Sequence, residues 1–334
     1  MRAKIDNNQL LKRTTSNDCA TLGFGMAGAR HHWVPQFYQR RFISDGSGLV
    51  LDSEPRQESI RKTAMARDFY AFTKNEARDS RSVEDALQKI DHMGPRLMRK
   101  VDHGERLTDQ QRYELSVFVS VMWRRTAQHK EEAEQRAAAM MPGFFDQHNE
   151  DWLVSRLEEK QVAPDGGEVP FQKQRAKLAA IRSEYMATVP DFLFARNVVR
   201  PSIFEQVMYL MDWGFFRCSD AQEFITSDNP VVFSKGKGLK HDDAVIFFPL
   251  SRNTCLQAMW KSQYEDSYVR ASTAQVGLIN RYMAQNAKRE VYASYKSAVL
   301  AEFVSKWVDT FDSPIERIRH YGRPRRKARP IQLR

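Results

Sequence analysis

The chain has 334 residues, of which 42% are hydrophobic and 11% aromatic, and its formal net charge is +10. This composition can support a sizeable core and excludes a globally disordered protein, while the longest apolar runs are too short to cross a membrane. The length fits one large domain or two ordinary ones.

Cysteine usage favours a reducing compartment. The three cysteines, Cys19, Cys218 and Cys255, are odd in number and far apart, so they form neither a disulfide framework nor a zinc pattern. The first thirty residues lack the continuous apolar stretch of a secretory signal. We therefore expect a cytoplasmic protein that does not enter a membrane.

The N-terminal residues 1–29 are predicted to be a flexible extension. They contain the formal G-x-G-x-x-G match Gly23–Gly28, but the polar residues before it do not form a strand and Pro35 argues against a helix after it. Dinucleotide binding is therefore not predicted. Met26 is an alternative translation start to Met1, which mass spectrometry of the native N-terminus would decide.

A second stretch, residues 31–42, combines aromatic side chains with two histidines and two arginines. In an extended segment adjacent side chains point to opposite faces, so His31 and His32 are not expected to share one metal. Near neutral pH a histidine suits acid–base or ligand chemistry. The alternative is a hydrogen-bonded structural histidine beside core aromatics.

Helical periodicity begins at Ser82, a predicted N-cap, and Gly94-Pro95 is predicted to stop or kink the helix. Glu84 lies in the first turn, where it either complements the helix dipole or serves a site. A capping box at Thr108 predicts a second, long helix with Arg125 in its middle. That arginine either clamps a carboxylate or phosphate or extends from a solvent-exposed face.

Short strands are predicted after Gly214, with spacing typical of an antiparallel meander. The fold class is therefore α+β: a small, mainly antiparallel sheet with a large helical layer, in one domain. We place that domain at residues 30–312, with the helical part at about 82–212 and the sheet part at about 214–260.

Residues 224–233 are apolar at both ends and polar in the centre, which predicts a strand, a tight turn and a second strand. Asp228 then stands at a strand end, followed by Asn229 and Pro230. A hairpin turn explains these residues fully. Alternatively, a carboxylate and an amide held at a sheet rim suit metal binding or orientation of a water.

Taken together, these motifs resemble those of the bacterial domain-of-unknown-function family 4238 over roughly residues 29–300. The matching segments are His31–Phe42, Thr226–Pro230, Pro249–Ser251, Asn280–Ala287 and Arg125–Thr126, with Ala127 departing from the family's proline. The resemblance implies that His31 or His32 and Asp228–Asn229 belong to one constellation. It also suggests a role in a phage-defence or mobile-element system.

The leading interpretation is a metal-dependent hydrolase acting on phosphodiesters. Asp228 and Glu84 would hold Mg²⁺ or Mn²⁺, which activates water. His32 would act as general base or acid, Arg125 would neutralise developing charge, and Asn229 would complete the site.

The alternative is a non-enzymatic binding module, in which the same residues are structural and the basic C-terminus supplies contacts. Residues 317–334 carry eight Lys and Arg and no acidic residue, so ten minus eight leaves about +2 for the rest. We expect the tail, residues 313–334, to attract nucleic acid through its phosphates. A solvated terminus without a partner is the other interpretation.

Overall fold

The computed structural model describes residues 30–43, 47–51, 55–74, 77–79, 81–147, 183, 187–219, 221–233, 238–262, 264, 266–294 and 298–307. The predicted N-terminal extension and the predicted basic tail lie outside the described residues.

Seven helices have defined bounds, and residues 187–199 are also helical. The seven are α1 (Gln36–Gln39), α2 (Ser82–Asp102), α3 (Asp109–Arg124), α4 (Ala127–Gln147), α5 (Ile203–Leu210), α6 (Thr273–Asn286) and α7 (Ala298–Trp307). Within the described ranges, none of the helices has the length and apolar character needed to span a bilayer.

Thirteen short strands are described. They are β1 (Arg30–His32), β2 (Ser47–Leu51), β3 (Pro55–Ser59), β4 (Met65–Arg67), β5 (Phe72–Lys74), β6 (Ala77–Asp79), β7 (Asp212–Arg217), β8 (Thr226–Ser227), β9 (Val232–Phe233), β10 (Val245–Ser251), β11 (Thr254–Met259), β12 (Ser267–Arg270) and β13 (Glu290–Tyr292).

The largest sheet has five strands in the order β12-β7-β11-β10-β9, in which only the β12–β7 pair is parallel. Its two faces bury different side chains because successive residues of a strand point to opposite sides. Phe215 and Phe248 join the core with α2, α3 and α5, whereas Phe216 and Phe247 join a second core with α6 and α7. Helices therefore cover both faces of this sheet.

A four-stranded antiparallel sheet has the order β3-β2-β13-β8. It brings N-terminal strands next to strands from beyond residue 225. The predicted hairpin at residues 224–233 is wrong, because β8 pairs with β13 in this sheet while β9 pairs with β10 in the five-stranded sheet. The stretch crosses between two sheets, and Asp228 does follow a strand end as predicted.

The α+β class is confirmed, with several small sheets in place of one. The assignment of residues 30–312 to a single domain stays a prediction. The predicted capping box at Thr108 is present before α3, and a second capping box, recognisable in the sequence as Ser272-x-x-Gln275, is present before α6.

Two helix boundaries differ from the predictions. Helix α2 continues through Gly94-Pro95 to Asp102, because its residues on both sides of the proline are buried in the core. The predicted long helix from Thr108 is instead two helices that meet at Arg125 and Thr126. The Thr126 hydroxyl accepts a hydrogen bond from the backbone N–H of His129 at 3.3 Å, as an N-cap residue does.

Two helical glycines provide a matched stability test. A Cβ at Gly94 would lie 2.8 Å from Phe118 and 2.9 Å from Phe37, whereas a Cβ at Gly277 would meet nothing within 4 Å. We expect Gly94→Ala to lower the free energy of unfolding by about 1–3 kcal/mol, because the core there has no room. Gly277→Ala should raise it by about 0.5–1 kcal/mol through helix propensity.

Urea unfolding monitored by circular dichroism would measure both changes. A Gly94→Ala protein as stable as Gly277→Ala would show that the contact between α2 and α3 is not tight.

Candidate functional site

Strand β1 carries the two histidines, and it pairs with β4 through His31↔Ala66 and His32↔Met65. His31 is buried and His32 is half-buried, so they face opposite sides as predicted. The Nδ1 atom of His31 accepts a hydrogen bond from the backbone N–H of Tyr70 at 3.4 Å. Burial lowers the pKa of His31 despite the opposing charge of Asp68, which fits a neutral structural histidine.

The His32 ring is fixed in one tautomer by its two partners. Arg40 donates to Oε1 of Gln36 at 2.8 Å, so the Gln36 amide nitrogen must face His32 and donate to its Nε2 at 3.0 Å. Nδ1 therefore carries the proton, which it donates to the Thr63 carbonyl at 3.1 Å. Burial lowers the pKa of His32 and the Arg125 charge lowers it further, against the Thr63 hydrogen bond, which raises it.

Arg125 lies at the break between α3 and α4, and its side chain is almost fully buried. Nη1 contacts Asp91 Oδ1 at 2.7 Å and Nη2 donates to the His32 carbonyl at 2.9 Å. The Arg125 carbonyl, released by the helix break, accepts from the Tyr70 hydroxyl at 3.3 Å. Burial lowers the pKa of the guanidinium but Asp91 more than compensates, so it stays charged. It joins the N-terminal segment to the helices.

Glu84 and Asp91 lie seven residues apart on α2, two turns along one face. Burial raises the pKa of both carboxyls while the charge of Arg125 lowers it. Within the described part of the chain, two atoms of this cluster are buried without a hydrogen-bond partner: Oε2 of Glu84 and Nε of Arg125. Native proteins seldom leave such groups unpaired outside functional sites.

Asp228 is also buried, and backbone N–H groups hold both of its carboxylate oxygens. Lys288 donates to Oδ1 and Arg289 to Oδ2, each at 2.9 Å. The Asp228 N–H in turn donates to the Glu290 carbonyl at 3.0 Å, which continues the pairing of β8 with β13. Burial raises the pKa of Asp228 to about 6 against these hydrogen bonds, which lower it.

Glu290 was not found from the sequence, and it is a buried carboxyl coupled to Asp228. Its Oε2 accepts from the backbone N–H of Ala64 at 2.6 Å and from the Tyr292 hydroxyl. Burial first and the nearby Asp228 charge second raise the pKa of Glu290 to about 8. At neutral pH we therefore place the proton on Glu290 and the negative charge on Asp228, whose oxygens face N–H donors.

Asn229 connects the same rim to α4 and α6. Its side-chain amide donates to Oε1 of Gln128, and its carbonyl accepts from Asn286 at 2.7 Å. Gln128 lies one turn after Arg125, and its own amide donates to Glu132 at 3.0 Å. The side-chain amide nitrogen of Asn229 thus bonds to another side chain inside the protein.

The predicted residues fall into two neighbouring groups. The charge of Arg125 acts on the carboxyl of Glu84, and its guanidinium donates a hydrogen bond to the backbone carbonyl of His32. These three residues therefore lie in one cluster. Asp228 belongs to a separate group with Glu290. Thr63 and Ala64 bridge the two, because Thr63 orients His32 and Ala64 contacts Glu290.

Sequence reasoning missed Thr63, Asp91, Gln128 and Glu290. Asp91 had a usable signal, since it stands on the same helical face as Glu84 and the buried Leu87. Thr63 acts through its backbone carbonyl, and Glu290 stands alone in a three-residue strand, so neither left a local pattern.

The described residues do not fit a metal held jointly by Glu84 and Asp228. Both oxygens of Asp228 face N–H donors, and Glu84 adjoins the positive charge of Arg125. No group of three or more His, Cys, Asp or Glu side chains suited to a metal occurs among the residues described. The predicted Mg²⁺ or Mn²⁺ site stays a prediction.

Comparison with known proteins agrees with the resemblance seen in the motifs. The family model described as "Protein of unknown function (DUF4238)" matches residues 30–297, which is most of the chain. Neither a curated protein nor a solved structure matches this chain.

The protonated carboxyl makes stability depend on pH. Asp228 and Glu290 have folded-state pKa values of about 6 and about 8, above their ordinary values of 3.8 and 4.5. The native state therefore binds more protons than the unfolded state between about pH 4 and 8, so stability falls as pH rises through this window. We expect Glu290→Gln, an isostere of the protonated acid, to lose about 3 kcal/mol less folding stability than the native protein between pH 5 and 8, because each unit of pKa shift corresponds to about 1.4 kcal/mol.

Urea unfolding at a series of pH values would measure this dependence, with Glu302→Gln, at an exposed position of α7, as the matched control. The control should follow the native protein. If the free energy of unfolding of Glu290→Gln fell with pH as steeply as that of the native protein, Glu290 would be ionised in the folded protein.

Proposed function

We propose that this chain, which belongs to the DUF4238 family of proteins of unknown function, is a hydrolase of phosphodiesters that uses His32 and Glu84 as an acid–base pair. One observation carries the proposal. The unpaired atoms of Glu84 and Arg125 lie in the same neighbourhood as a half-buried histidine with a fixed tautomer.

In the proposal His32 is the general base. Its Nδ1–H is held by the Thr63 carbonyl, so the Nε2 lone pair is the one presented for proton transfer. Among the described residues, the partner of Nε2 is the side-chain amide of Gln36, on the short helix α1. A rotation of that amide would release Nε2 to a water molecule.

Glu84 is the general acid that protonates the leaving oxygen. Burial raises the pKa of Glu84 and lowers that of His32. Both shifts favour the active forms of the proposed pair, which are protonated Glu84 and neutral His32. Paired shifts of this kind are typical of acid–base sites. Arg125 supplies a fixed positive charge beneath the pair, where negative charge develops on the phosphoryl oxygens.

The remaining predicted residues are positioning residues in this proposal. Asp228 fixes the backbone of residues 288–290, which places Glu290 against Ala64. Ala64 follows Thr63, whose carbonyl orients His32. Asn229 holds Gln128 and thereby the start of α4, one turn from Arg125.

No step of the proposed reaction runs through a metal, because both oxygens of Asp228 accept hydrogen bonds from backbone N–H groups and Asp228 belongs to a different group of residues from Glu84. The predicted dependence on Mg²⁺ or Mn²⁺ is tested separately, by measuring cleavage with and without each metal. Activity abolished by EDTA and restored by Mn²⁺ would support the metal-dependent form.

A second candidate function is the non-enzymatic binding module. It is favoured by the burial of Arg125, Asp228 and Asn229, whose polar groups are paired mainly within the protein. Under this proposal the network is architectural, and the basic tail binds nucleic acid.

The test is cleavage of single- and double-stranded DNA and RNA and of bis-p-nitrophenyl phosphate, with and without Mg²⁺ and Mn²⁺. We expect His32→Ala and Glu84→Gln each to lower kcat/KM by about 10²–10⁴-fold, the usual contribution of a positioned acid or base. The native profile should be bell-shaped with its maximum below pH 7, because protonated His32 and ionised Glu84 are both inactive. Glu84→Gln should remove the alkaline limb.

Asp85→Asn is the matched control, since Asp85 is the exposed neighbour of Glu84 in the same turn of α2. It should retain native activity. If Asp85→Asn is as inactive as Glu84→Gln, or if folded His32→Ala keeps full activity, the acid–base assignment is wrong.

Deletion of residues 315–334 separates the two candidate functions. A binding module should lose its salt-sensitive affinity for nucleic acid, whereas hydrolysis of the small phosphodiester should persist. Absence of cleavage on every substrate would leave the binding module as the better account.

A further inference from the structure

A cavity of about 460 Å³ opens at the C-terminal end of α2, away from His32. Its lining comes from the end of α1, the end of α2, the strand β7 and the turn between β10 and β11. The lining residues are Arg41, Asp102, Arg217, Cys218, Ser219, Ser251, Arg252, Asn253 and Thr254. Two segments singled out in the sequence, residues 31–42 and residues 249–251, thus meet here.

The cavity is distinct from the proposed hydrolytic site. Glu84 and Asp102 lie eighteen residues apart on α2, which corresponds to about 27 Å along a helix. The two ends of this one helix therefore border different sites.

The charge of the lining favours an anion. Three arginines and one aspartate give a sum of +2. Arg41 is held by Asp102 at 2.5 Å and by the Leu250 carbonyl at 2.6 Å. Arg252 is the most accessible of the three, with 46% of its side chain exposed, and within the described ranges its guanidinium makes a long contact of 3.7 Å to Glu223.

Arg217 adds a donor that is unused within the described part of the chain. Its Nη2 donates to the carbonyls of Val101 and Asp102, at 3.0 and 2.8 Å, and so caps α2. Its buried Nε has no hydrogen-bond partner there. Gly104 has a φ of +75°, and a Cβ on it would approach the Arg217 guanidinium to 3.3 Å, so this glycine leaves room for the arginine.

The cysteine in the lining is not suited to covalent chemistry. Burial raises the pKa of the Cys218 thiol to about 12, so it carries no thiolate at neutral pH. Ser219, Ser251 and Asn253 add hydroxyl and amide groups to the lining. The cavity is thus built for polar binding.

We propose that this cavity binds the phosphate group of a phosphomonoester of about nucleotide size. A phosphomonoester carries nearly two negative charges at neutral pH, which matches the sum of the lining. Guanidinium groups are the side chains best suited to phosphate oxygens. The volume lies within the range of small-molecule sites.

Isothermal titration calorimetry with adenosine 5′-monophosphate, inorganic phosphate and adenosine tests the proposal. We expect the nucleotide to bind saturably, inorganic phosphate to bind more weakly and displace it, and adenosine not to bind. Arg252→Gln should weaken nucleotide binding about tenfold or more, because it removes a charged hydrogen-bond donor. Ser219→Asp, which places a carboxylate in the cavity, should abolish binding.

Arg196→Gln is the matched control, since Arg196 is exposed on the helical segment 187–199 and does not line the cavity. It should bind the nucleotide as the native protein does, as should His32→Ala, which is altered only at the proposed hydrolytic site. Circular dichroism would establish that each variant is folded. No saturable binding of nucleotide or phosphate, equal binding of adenosine, or equal weakening by Arg252→Gln and Arg196→Gln would overturn the proposal.

Discussion

The buried guanidinium of Arg125 is the contact on which the arrangement of the N-terminal half depends. It joins Asp91 in the middle of α2 to the backbone of β1, and it does so from the break between α3 and α4. A buried cation is tolerated when an opposite charge and hydrogen-bond acceptors offset its desolvation, as Asp91 and the His32 carbonyl do for the two terminal nitrogens of Arg125. The position of β1 relative to two helices is therefore specified by charge as well as by apolar packing.

A second constraint is the pair of buried carboxyls, Asp228 and Glu290. Two negative charges at close range in a desolvated setting are unfavourable, so the pair retains a proton. Each carboxyl is tied to backbone N–H groups of other segments, which means that the pair specifies geometry more than it adds stability. The two constraints meet at Thr63 and Ala64, and together they hold His32.

The parts that could be predicted from the sequence are those with a local physical cause. The capping boxes at Thr108 and Ser272 and the opposite orientations of His31 and His32 follow from side chains a few residues apart. The antiparallel meander predicted after Gly214 is present in the consecutive pairs β9–β10 and β10–β11, whereas β7 pairs with β11 and β8 with β13, because these two pairings join segments far apart in the chain.

The parts that could not be predicted depend on tertiary contacts. Gly94-Pro95 is a helix-breaking pair, yet core packing on both sides keeps α2 continuous. The role of Thr63 rests on a carbonyl, which every residue possesses. For Glu290, burial decides its protonation, and burial cannot be read from a three-residue strand. The sequence thus allowed prediction of those members of the candidate site that stand in distinctive motifs, but not of the members that act through their backbone or through burial.

The four-stranded sheet has a consequence for the order of folding. Its strand β13 lies between β2 and β8, so β2 can pair with β3 early but meets its second partner only when residues near 290 are present. Contacts of such large sequence separation form slowly, because the loop between them must first close. On the ribosome, the β2–β3 hairpin is complete at Ser59 and lacks its β13 partner until about 230 further residues have been made. Until then the β2 edge of this hairpin lacks its native partner and is open to mispairing.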